Sequence, residues 1–362
     1  MKGTVVYLFA FDVANEIQTK LVKEVLSQKP FPFEIKLGAA APRDVPVYAP
    51  LTIRLKPLVC LSTLGPISIQ PHVKIFEVGA ISISYEVAFE KGSLAELVPY
   101  HQLKVGDEPL SALAERLAMD VAENIRSAMI KPNKERSVVE AYTAFCISEV
   151  GASVPDWITA HRAAIAGLLN EESEPGLLAT QQIDETLEHS LAYTREDFTV
   201  IDWDAALIVD ASGYVDDVLY IVELANMQLE EYRLLDDRLD KVFTLAYQDL
   251  ERRASVWRFP FSLEKRLAFI HRTRMDITKM SEEVSNITKF VGDWYLARVY
   301  LACKNRFHLA HWEASVDQKL RELDSLYTLV NQDTNERRML ILELIVVALF
   351  IFEVAAAFLL KH

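Results

Sequence analysis

The apolar segment at residues 339–360 constrains this chain more than any other part of the sequence. Its only charged side chains are Glu343 and Glu353, and Arg337 and Arg338 precede it. As a helix, the segment would be about 33 Å long, which matches the roughly 30 Å hydrocarbon core of a membrane. The pattern predicts a C-terminal single-pass transmembrane helix, with the body on the cytoplasmic side, where basic flanking residues are enriched.

The two glutamates are costly in such a helix. A carboxylate in hydrocarbon is stabilised by protonation or by a partner on a neighbouring helix. The side chains of Glu343 and Glu353 point in directions about 80° apart around the helix axis, so one helix can present both of them to the same broad interface. We therefore expect Glu343 and Glu353 to contact other helices of a homo-oligomer. The alternative is a buried apolar helix that closes a soluble oligomer.

Composition limits the remaining possibilities. A chain of 362 residues with 51 % hydrophobic residues is long and apolar enough for two or three domains with a substantial core. The formal net charge of -14 disfavours a general nucleic-acid binder, so any RNA contact would have to be local. The three cysteines are far apart and have no metal-ligand spacing, which favours buried thiols in a reducing compartment.

Residues 1–214 predict an N-terminal α/β domain, because short apolar runs alternate with amphipathic segments. The strand candidates are residues 4–11, 73–89, 138–147 and 197–209, and the helix candidates are residues 13–27, 109–130, 155–169 and 176–189. Prolines are frequent over residues 30–66, where we expect an irregular excursion. The fold class that follows is α+β.

Residues 215–338 predict long helices, since apolar side chains recur in steps of four and three. The first seam contains Val218, Val222, Ala225, Leu229, Tyr232, Asp236, Leu239, Phe243 and Ala246. Such a seam fits either an antiparallel hairpin or bundle within one chain or a coiled coil between chains. A second seam runs from Ile277 to Leu301. One position of each seam is polar, Asp236 in the first and Arg298 in the second, and we expect these two residues to set the pairing register or to be solvated.

A basic segment at residues 252–274 stands out in an acidic chain. Its candidate surface residues are Arg252, Arg253, Trp257, Arg258, Phe259, Phe261, Lys265 and Arg266. Each cation near a membrane adds about 1 kcal/mol of attraction to anionic headgroups. The segment is therefore a candidate surface for a membrane or a protein partner, and an ordinary solvated loop is the alternative.

Catalytic motifs are mostly missing from the sequence. No two of the 11 glycines lie within two residues of each other, which excludes a dinucleotide fingerprint and a P-loop. Asp202 and Asp204 alternate with Ile201 and Trp203, so a strand would place both carboxylates on one face, as a metal-dependent phosphotransfer site needs. A half-buried strand with one polar face explains the same alternation. We expect no enzyme activity, no metal and no other cofactor.

Four segments resemble a family of unknown function that includes the mitochondrial "required for meiotic nuclear division" protein, the yeast Sad1-interacting factor and bacterial relatives. The segments are residues 76–81, residues 201–207 with 222–233 and Leu239-Asp240, residues 294–327, and Leu342-Glu343 with Glu353-Val354. The resemblance implies a membrane-associated protein without recognised catalytic residues, whose mitochondrial members support organelle translation near the inner membrane.

These observations together predict a non-enzymatic, membrane-anchored, oligomeric scaffold or assembly factor. Its partners would be itself, the lipid bilayer and an unidentified protein, in support of translation or of membrane complexes. One alternative is a metal-dependent phosphotransfer enzyme that uses Asp202 and Asp204. Another is a tether for ribosomes or RNA through residues 252–274.

Overall fold

A mixed β-sheet is the centre of the first of two compact units in the chain. The computed structural model describes residues 1–28, 50–133, 140–210, 215–251, 275 and 294–359. Unit 1 comprises Met1–Leu234 and Met280–Trp312, and unit 2 comprises Leu235–Lys279 and Glu313–His362. The first domain was predicted to end at residue 214, whereas unit 1 extends to Leu234 and takes in a later segment.

The strands and helices of the described residues are numbered in chain order. The strands are β1 (Lys2–Asp12), β2 (Ala14–Ile17), β3 (Leu51–Arg54), β4 (Leu58–Ser62), β5 (Gly65–Ile75), β6 (Ala80–Glu90), β7 (Lys104–Val105), β8 (Glu108–Pro109), β9 (Met129–Pro132), β10 (Glu140–Glu149), β11 (Ser190–Leu191), β12 (Asp197–Ile201) and β13 (Ala205–Asp210). The helices are α1 (Thr19–Gln28), α2 (Leu110–Asn124), α3 (Val154–Leu169), α4 (Thr180–Thr186), α5 (Val215–Glu251), α6 (Trp294–Arg306) and α7 (Leu309–Leu359), with short 3₁₀ segments at Ala95–Gln102, Arg126–Ala128 and Pro175–Leu177.

The N-terminal apolar run forms β1, which pairs antiparallel with β6 on one side and β10 on the other. The strand order is β11-β12-β13-β10-β1-β6-β5-β4-β7-β8, and β3 also pairs with β5. β10 and β13 are parallel neighbours. β2 and β9 form a separate two-stranded sheet. The mixed sheet with its helices agrees with the predicted N-terminal α/β domain.

Both faces of β1 are buried, which explains why its sequence is apolar without alternation. Successive side chains point to opposite faces of a strand. Val5, Tyr7 and Phe9 join the main hydrophobic core, to which α1, α2 and α3 contribute. Val6 and Leu8 are also buried but lie outside this core. They belong to the opposite face, the face on which polar residues of β5 and β6 bind α5.

The predicted coiled coil between chains is wrong, because the seam of α5 is used within its own chain. The buried seam residues in unit 1 are Val218, Val222, Ala225, Leu229 and Tyr232. Glu223 of the same helix segment contacts the sheet. In unit 2, Lys319 of α7 binds Asp236 and Asp240 of α5. A helix that covers its own core needs apolar residues at the same three- and four-residue spacing as a coiled coil.

The predicted transmembrane helix is also wrong, so the expected fold class fails in this element. The segment is helical as the end of α7, but no helix in the described ranges is long and apolar enough to cross a membrane. The carboxylates supply a physical reason. Residues 344–352, between Glu343 and Glu353, form about 14 Å of helix against a hydrocarbon core of roughly 30 Å. The predicted single-pass anchor and membrane location are therefore wrong, whereas the bilayer as a partner stays a prediction.

The irregular excursion predicted for residues 30–66 is only partly described. Residues 30–49 lie outside the described residues. The remainder contains β3, β4 and the first residues of β5, so an irregular path is wrong for this part. Leu51 and Ile53 are buried while Arg54 is exposed, which is the alternation of a strand with one covered face.

A tight turn divides residues 73–89, which the sequence pattern predicts as one strand. Gly79 in this turn has a φ of +93°. Its carbonyl oxygen accepts hydrogen bonds from the backbone amides of Val13 and Ala14, both at 3.1 Å. A Cβ atom at this position would lie 1.8 Å from the carbonyl oxygen of Ala14. The turn therefore requires glycine both for its φ and for its close approach to the chain.

Gly79→Ala is expected to destabilise unit 1 by more than the roughly 1–2 kcal/mol that a left-handed backbone costs a residue with a Cβ atom. The additional loss comes from the clash with the backbone of Ala14. Gly65→Ala is the matched control, because Gly65 has a φ of +98° but nothing lies within 4 Å of an added Cβ. Urea denaturation of both variants measures the difference, and equal losses would contradict the steric explanation.

Candidate functional site

Polar side chains are buried between the sheet and α5, on the face opposite the main core. Lys74 of β5 and Ser82 of β6 are directly opposite each other in the strand register. The Ser82 hydroxyl donates to Glu223 Oε1 at 2.5 Å, and Lys74 Nζ donates to Glu223 Oε2. The Glu223 side chain is only 2 % exposed. These three residues, called the Glu223 cluster below, fix α5 to the sheet through a buried ion pair.

The Tyr220 ring lies beside the Glu223 cluster. Lys74 Nζ lies 5.9 Å from the centre of the Tyr220 ring. Burial, and then the negative charge of Glu223, raise the pKa of Tyr220 well above its ordinary value. The Tyr220 hydroxyl therefore stays neutral beside the ion pair. A buried carboxylate is tolerated when its charge is paired and its oxygens accept hydrogen bonds, as they do at Glu223.

The same face of the sheet carries a histidine beside a glutamate. His72 Nε2 of β5 lies 3.2 Å from Glu86 Oε1 of β6. Burial acts to raise the pKa of Glu86, but the hydrogen bond and charge of His72 and the charges of Arg54 and Lys74 outweigh it, so the pKa is lowered. Glu86 is therefore ionised at neutral pH.

Further along α5, a buried polar residue contacts α6. The Tyr300 hydroxyl of α6 donates to Gln228 Oε1 at 2.7 Å. Asn226 is 2 % exposed, and its Oδ1 atom has no hydrogen-bond partner among the residues described. The first half of α5 thus has buried polar residues among its buried apolar ones, which its heptad-like spacing does not reveal.

A second buried ion pair joins the end of α6 to the turn between β12 and β13. Arg306 Nε donates to Asp202 Oδ1 at 2.8 Å, and Nη2 donates to the same oxygen. The guanidinium lies 5.5 Å from the centre of the Trp203 ring, and Nη1 lies 3.9 Å from Glu185 Oε1. The Tyr142 hydroxyl donates to the backbone oxygen of Asp202 at 2.9 Å. The turn is therefore held both by the sheet and by α6.

A cavity of about 1010 Å³ opens at the carboxyl ends of the parallel strands β10 and β13. Among the described residues, its walls are Ser148, Glu149 and Val209 at the strand ends, residues 150–155 before and within the first turn of α3, and Arg195 with Glu196. The carboxyl ends of parallel strands are the usual position of ligand sites in open α/β sheets.

Comparison with known proteins identifies the family of the chain. The family model described as "Uncharacterized protein MJ0711, N-terminal domain" matches residues 2–216, which is more than half of the chain. The chain belongs to this family. A relative, "Uncharacterized protein MJ0711" of Methanocaldococcus jannaschii, is 26 % identical over 270 residues, covering 74 % of this chain and 80 % of the relative. No solved structure gives a significant match.

The match to the MJ0711 N-terminal domain corrects the expected relationship. It supports an uncharacterised family, as the sequence suggests, but it gives no support to the mitochondrial and yeast relatives in particular. The matched residues contain all of the strands β1 to β13. Both the polar face of the sheet and the cavity beside β10 therefore lie on strands of the family's domain.

The structure separates Asp202 and Asp204, the two aspartates of the alternative metal-dependent site. Asp202 and Asp204 lie in the turn between β12 and β13, not in a strand. Asp202 is buried against Arg306, whereas Asp204 is exposed. The alternation argument for a shared metal face is therefore wrong. In the ranges described, no group of three or more His, Cys, Asp or Glu side chains is arranged to hold a metal ion.

The two polar seam residues have different surroundings. In unit 2, Asp236 Oδ1 lies 2.8 Å from Lys319 Nζ. Burial acts to lower the pKa of Lys319, but the carboxylates of Asp236 and Asp240 raise it overall. In unit 1, the guanidinium of Arg298 lies 5.2 Å from the centre of the Trp294 ring. A register-setting role fits Asp236, which binds α7 across the helix pair, and remains a prediction.

The other predicted site residues are described incompletely. Glu343 is exposed on α7. Glu353 is helical in its backbone, but its side chain lies outside the described part of the structure. The candidate basic surface lies entirely outside the described residues, and this applies to Arg252, Arg253, Trp257, Arg258, Phe259, Phe261, Lys265 and Arg266.

Sequence reasoning missed Lys74, Ser82, Glu223 and Arg306, which form the two buried ion-pair sites. The sequence signal for Glu223 was weak: it directly follows the seam residue Val222, and only the structure shows that it is 1 % exposed. Its partners carry no such signal. Lys74 looks like any polar residue of an alternating strand, and Arg306 looks like any basic residue in the last turn of a helix.

Proposed function

We propose that the chain is a non-enzymatic scaffold or assembly factor that works as a homo-oligomer. The observation that carries the proposal is the exposed apolar end of α7 in unit 2. Its exposed apolar side chains are Met339, Leu342, Leu344, Ile345, Val346, Val347, Leu349, Phe350, Ile351 and Phe352. Their exposed fractions range from 49 % to 72 %. Exposed apolar patches of this extent are rare on monomers and mark interaction sites.

The shape of this surface favours several copies of the same helix over one partner. Consecutive residues of a helix are about 100° apart, so the run from Leu344 to Phe352 is apolar in every direction. A helix that is apolar all round is stable when other helices surround it. Identical helices in a closed symmetric bundle satisfy this requirement, since each copy supplies the surface that its neighbour needs.

The area is sufficient for stable association. A specific interface buries about 800 Å² on each partner, and ten large side chains with exposed fractions of 49 % to 72 % offer an area on the order of that value. Burying one Leu, Ile, Val or Phe side chain contributes roughly 1.5–3 kcal/mol. Only some of these contributions are needed to offset the loss of translational and rotational freedom on association.

The arrangement of buried charges is consistent with a scaffold. Glu223 and Asp202 each bind a cation from another element, and each pair attaches a helix to the sheet. Buried carboxylates that are paired with cations in this way serve to hold elements together. We therefore propose that unit 1 presents a rigid partner surface and that unit 2 multiplies it.

Light scattering on the full chain tests the proposal. The wild-type protein is expected to have the mass of a homo-oligomer. Three substitutions in the exposed end of α7, Leu342→Gln, Leu349→Gln and Phe352→Gln together, are expected to shift it to the monomer mass while circular dichroism keeps the helical signal. Glutamine is a good helix former, so it removes apolar area without breaking the helix.

The matched control changes three exposed apolar residues on other helices. Leu21→Gln, Met119→Gln and Leu301→Gln lie on α1, α2 and α6, and their exposed fractions are 38 %, 42 % and 51 %. This variant is expected to keep the oligomer mass. A wild-type monomer, or an α7 variant with unchanged mass, would refute self-association through this segment.

The proposal also includes a distant relationship to the family of the mitochondrial "required for meiotic nuclear division" protein. Residues 201–207 and 222–233, which resemble the family of the mitochondrial "required for meiotic nuclear division" protein, contain the carboxylates of the two buried ion pairs. We propose that this resemblance reflects a shared way of attaching helices to the sheet, and that a role in supporting translation extends to this chain. An experimental structure of such a relative with the corresponding carboxylates unpaired would contradict the relationship.

A further inference from the structure

We propose that the cavity at the ends of β10 and β13 is a binding site for a small zwitterion of the aliphatic α-amino acid class. The chain leaves the two parallel strands toward opposite faces of the sheet. After β10 it enters α3, whose Trp157, Ile165 and Leu168 belong to the main core. After β13 the next described element is α5, whose Glu223 binds the other face.

This divergence leaves a crevice between adjacent strand ends. Ligands of open α/β sheets bind where the connections of neighbouring parallel strands go to opposite faces, because the departing segments leave the strand ends uncovered. The register places Ile147 beside Val209 at the last pair. Both the strand ends and the start of α3 line the cavity. Its position therefore follows from the topology of the sheet.

The charges around the cavity have both signs and are not paired with one another. Arg195, Glu149 and Glu196 line it and are exposed. None of these three side chains forms an ion pair within the described ranges of the chain. A ligand with a carboxylate would bind the Arg195 guanidinium, which presents a planar fork of donors to carboxylates. A ligand ammonium would bind one of the two glutamates.

The remaining polar groups of the wall are already used. The Ser148 hydroxyl donates to the backbone oxygen of Lys2 at 3.1 Å. The Ser153 hydroxyl caps α3 and binds Asp156, so the start of the helix carries its own negative group. A purely anionic ligand is therefore disfavoured here, since Asp156 and the two glutamates outnumber Arg195. A zwitterion matches both signs.

The apolar part of the wall selects an aliphatic side chain. Val150, Val154, Pro155 and Val209 line the cavity together with the charged residues. Ligand sites have volumes of about 300–1,000 Å³ and combine apolar walls with a few polar groups that fix orientation. A cavity of about 1010 Å³ is at the upper end of this range, which leaves room for an aliphatic amino acid and for bound water.

Isothermal titration calorimetry of the full chain with L-leucine tests the proposal. We expect saturable binding of L-leucine, and binding at least roughly tenfold weaker for isocaproate, which lacks the ammonium group, and for isoamylamine, which lacks the carboxylate. Arg195→Gln is expected to make L-leucine bind as weakly as isoamylamine. The double variant Glu149→Gln and Glu196→Gln is expected to make it bind as weakly as isocaproate.

Arg162→Gln is the matched control, because Arg162 is an exposed arginine of α3 whose partner Asp184 lies outside the cavity. This control is expected to bind L-leucine as the wild type does. No measurable binding of L-leucine at millimolar concentration, or equal binding by the wild type and Arg195→Gln, would overturn the proposal. The oligomer mass is measured separately, so failure here leaves the scaffold function untouched.

Discussion

Glu223→Ala is expected to lower the free energy of unfolding of unit 1 by about 3–5 kcal/mol, the usual effect of removing one partner of a buried ion pair. Lys74 would keep its charge in the space between sheet and helix, where its side chain is 16 % exposed, and the Ser82 hydroxyl would lose its acceptor. The loss includes the cavity left by the carboxylate side chain. Urea denaturation monitored by tryptophan fluorescence measures it.

Two further variants separate charge from packing at this site. Lys74→Met with Glu223→Leu replaces both partners by apolar side chains, and we expect it to recover much of the stability lost in Glu223→Ala, because hydrophobic replacement of a whole buried pair is often neutral. Glu108→Ala is the exposed counterpart, since Glu108 pairs with Arg116 at the surface, and we expect little change. If the double variant is as unstable as Glu223→Ala, the ion pair contributes more than charge balance.

Arg306→Ala is expected to cost unit 1 a similar amount, about 3–5 kcal/mol. Asp202 would be left as a buried carboxylate whose remaining hydrogen bond at Oδ1 comes from the backbone amide of Trp203 at 2.8 Å. The Trp203 ring would also lose its contact with the guanidinium. Because α6 ends at Arg306, we expect the loss to be accompanied by faster proteolysis at the junction of α6 and α7.

Arg306→Lys tests the geometry of this contact. Two guanidinium nitrogens reach the same Asp202 oxygen, and an ammonium group on a flexible stem does not reproduce this fork or the stacking on Trp203. We expect intermediate stability. Arg162→Ala, which removes an exposed pair with Asp184, is the control and should cost no more than about 1 kcal/mol. Equal stability of Arg306→Ala and this control would show that the buried pair does not hold α6 in place.

The strands of the sheet were more predictable than the turns between them and the helices that pack on them. Residues 4–11 and 138–147 correspond to β1 and β10, because a run of large apolar residues buried on both faces is a strong local signal. The end of the strand predicted over residues 73–89 was missed, since one glycine in a tight turn has a weak sequence signature. The turn at Asp202 and Asp204 was read as a strand for a related reason: two residues of alternation do not distinguish a strand from a hairpin turn.

The candidate sites depended on contacts that sequence does not show. Lys74 and Glu223 are 149 residues apart, and Asp202 and Arg306 are 104 residues apart. Local periodicity carries no information about such pairs. The heptad-like spacing correctly marks the buried face of α5. It does not show whether the same chain or another chain covers that face, because both require the same apolar spacing. The cavity depends on the parallel pairing of β10 with β13, which is also a property of the folded chain.

The discontinuity of unit 1 has a consequence for its biosynthesis. The sheet is complete at Asp210, but α6 begins at Trp294, roughly 80 residues later. At a translation rate of about 5–20 residues per second, the nascent sheet spends several seconds without the helix that neutralises Asp202. During this interval Tyr142 lacks its ring contact with Phe307, and Thr199 lacks its hydrogen bond with Tyr295 of α6. We therefore expect ribosome pausing before residue 306 to increase aggregation of the emerging chain.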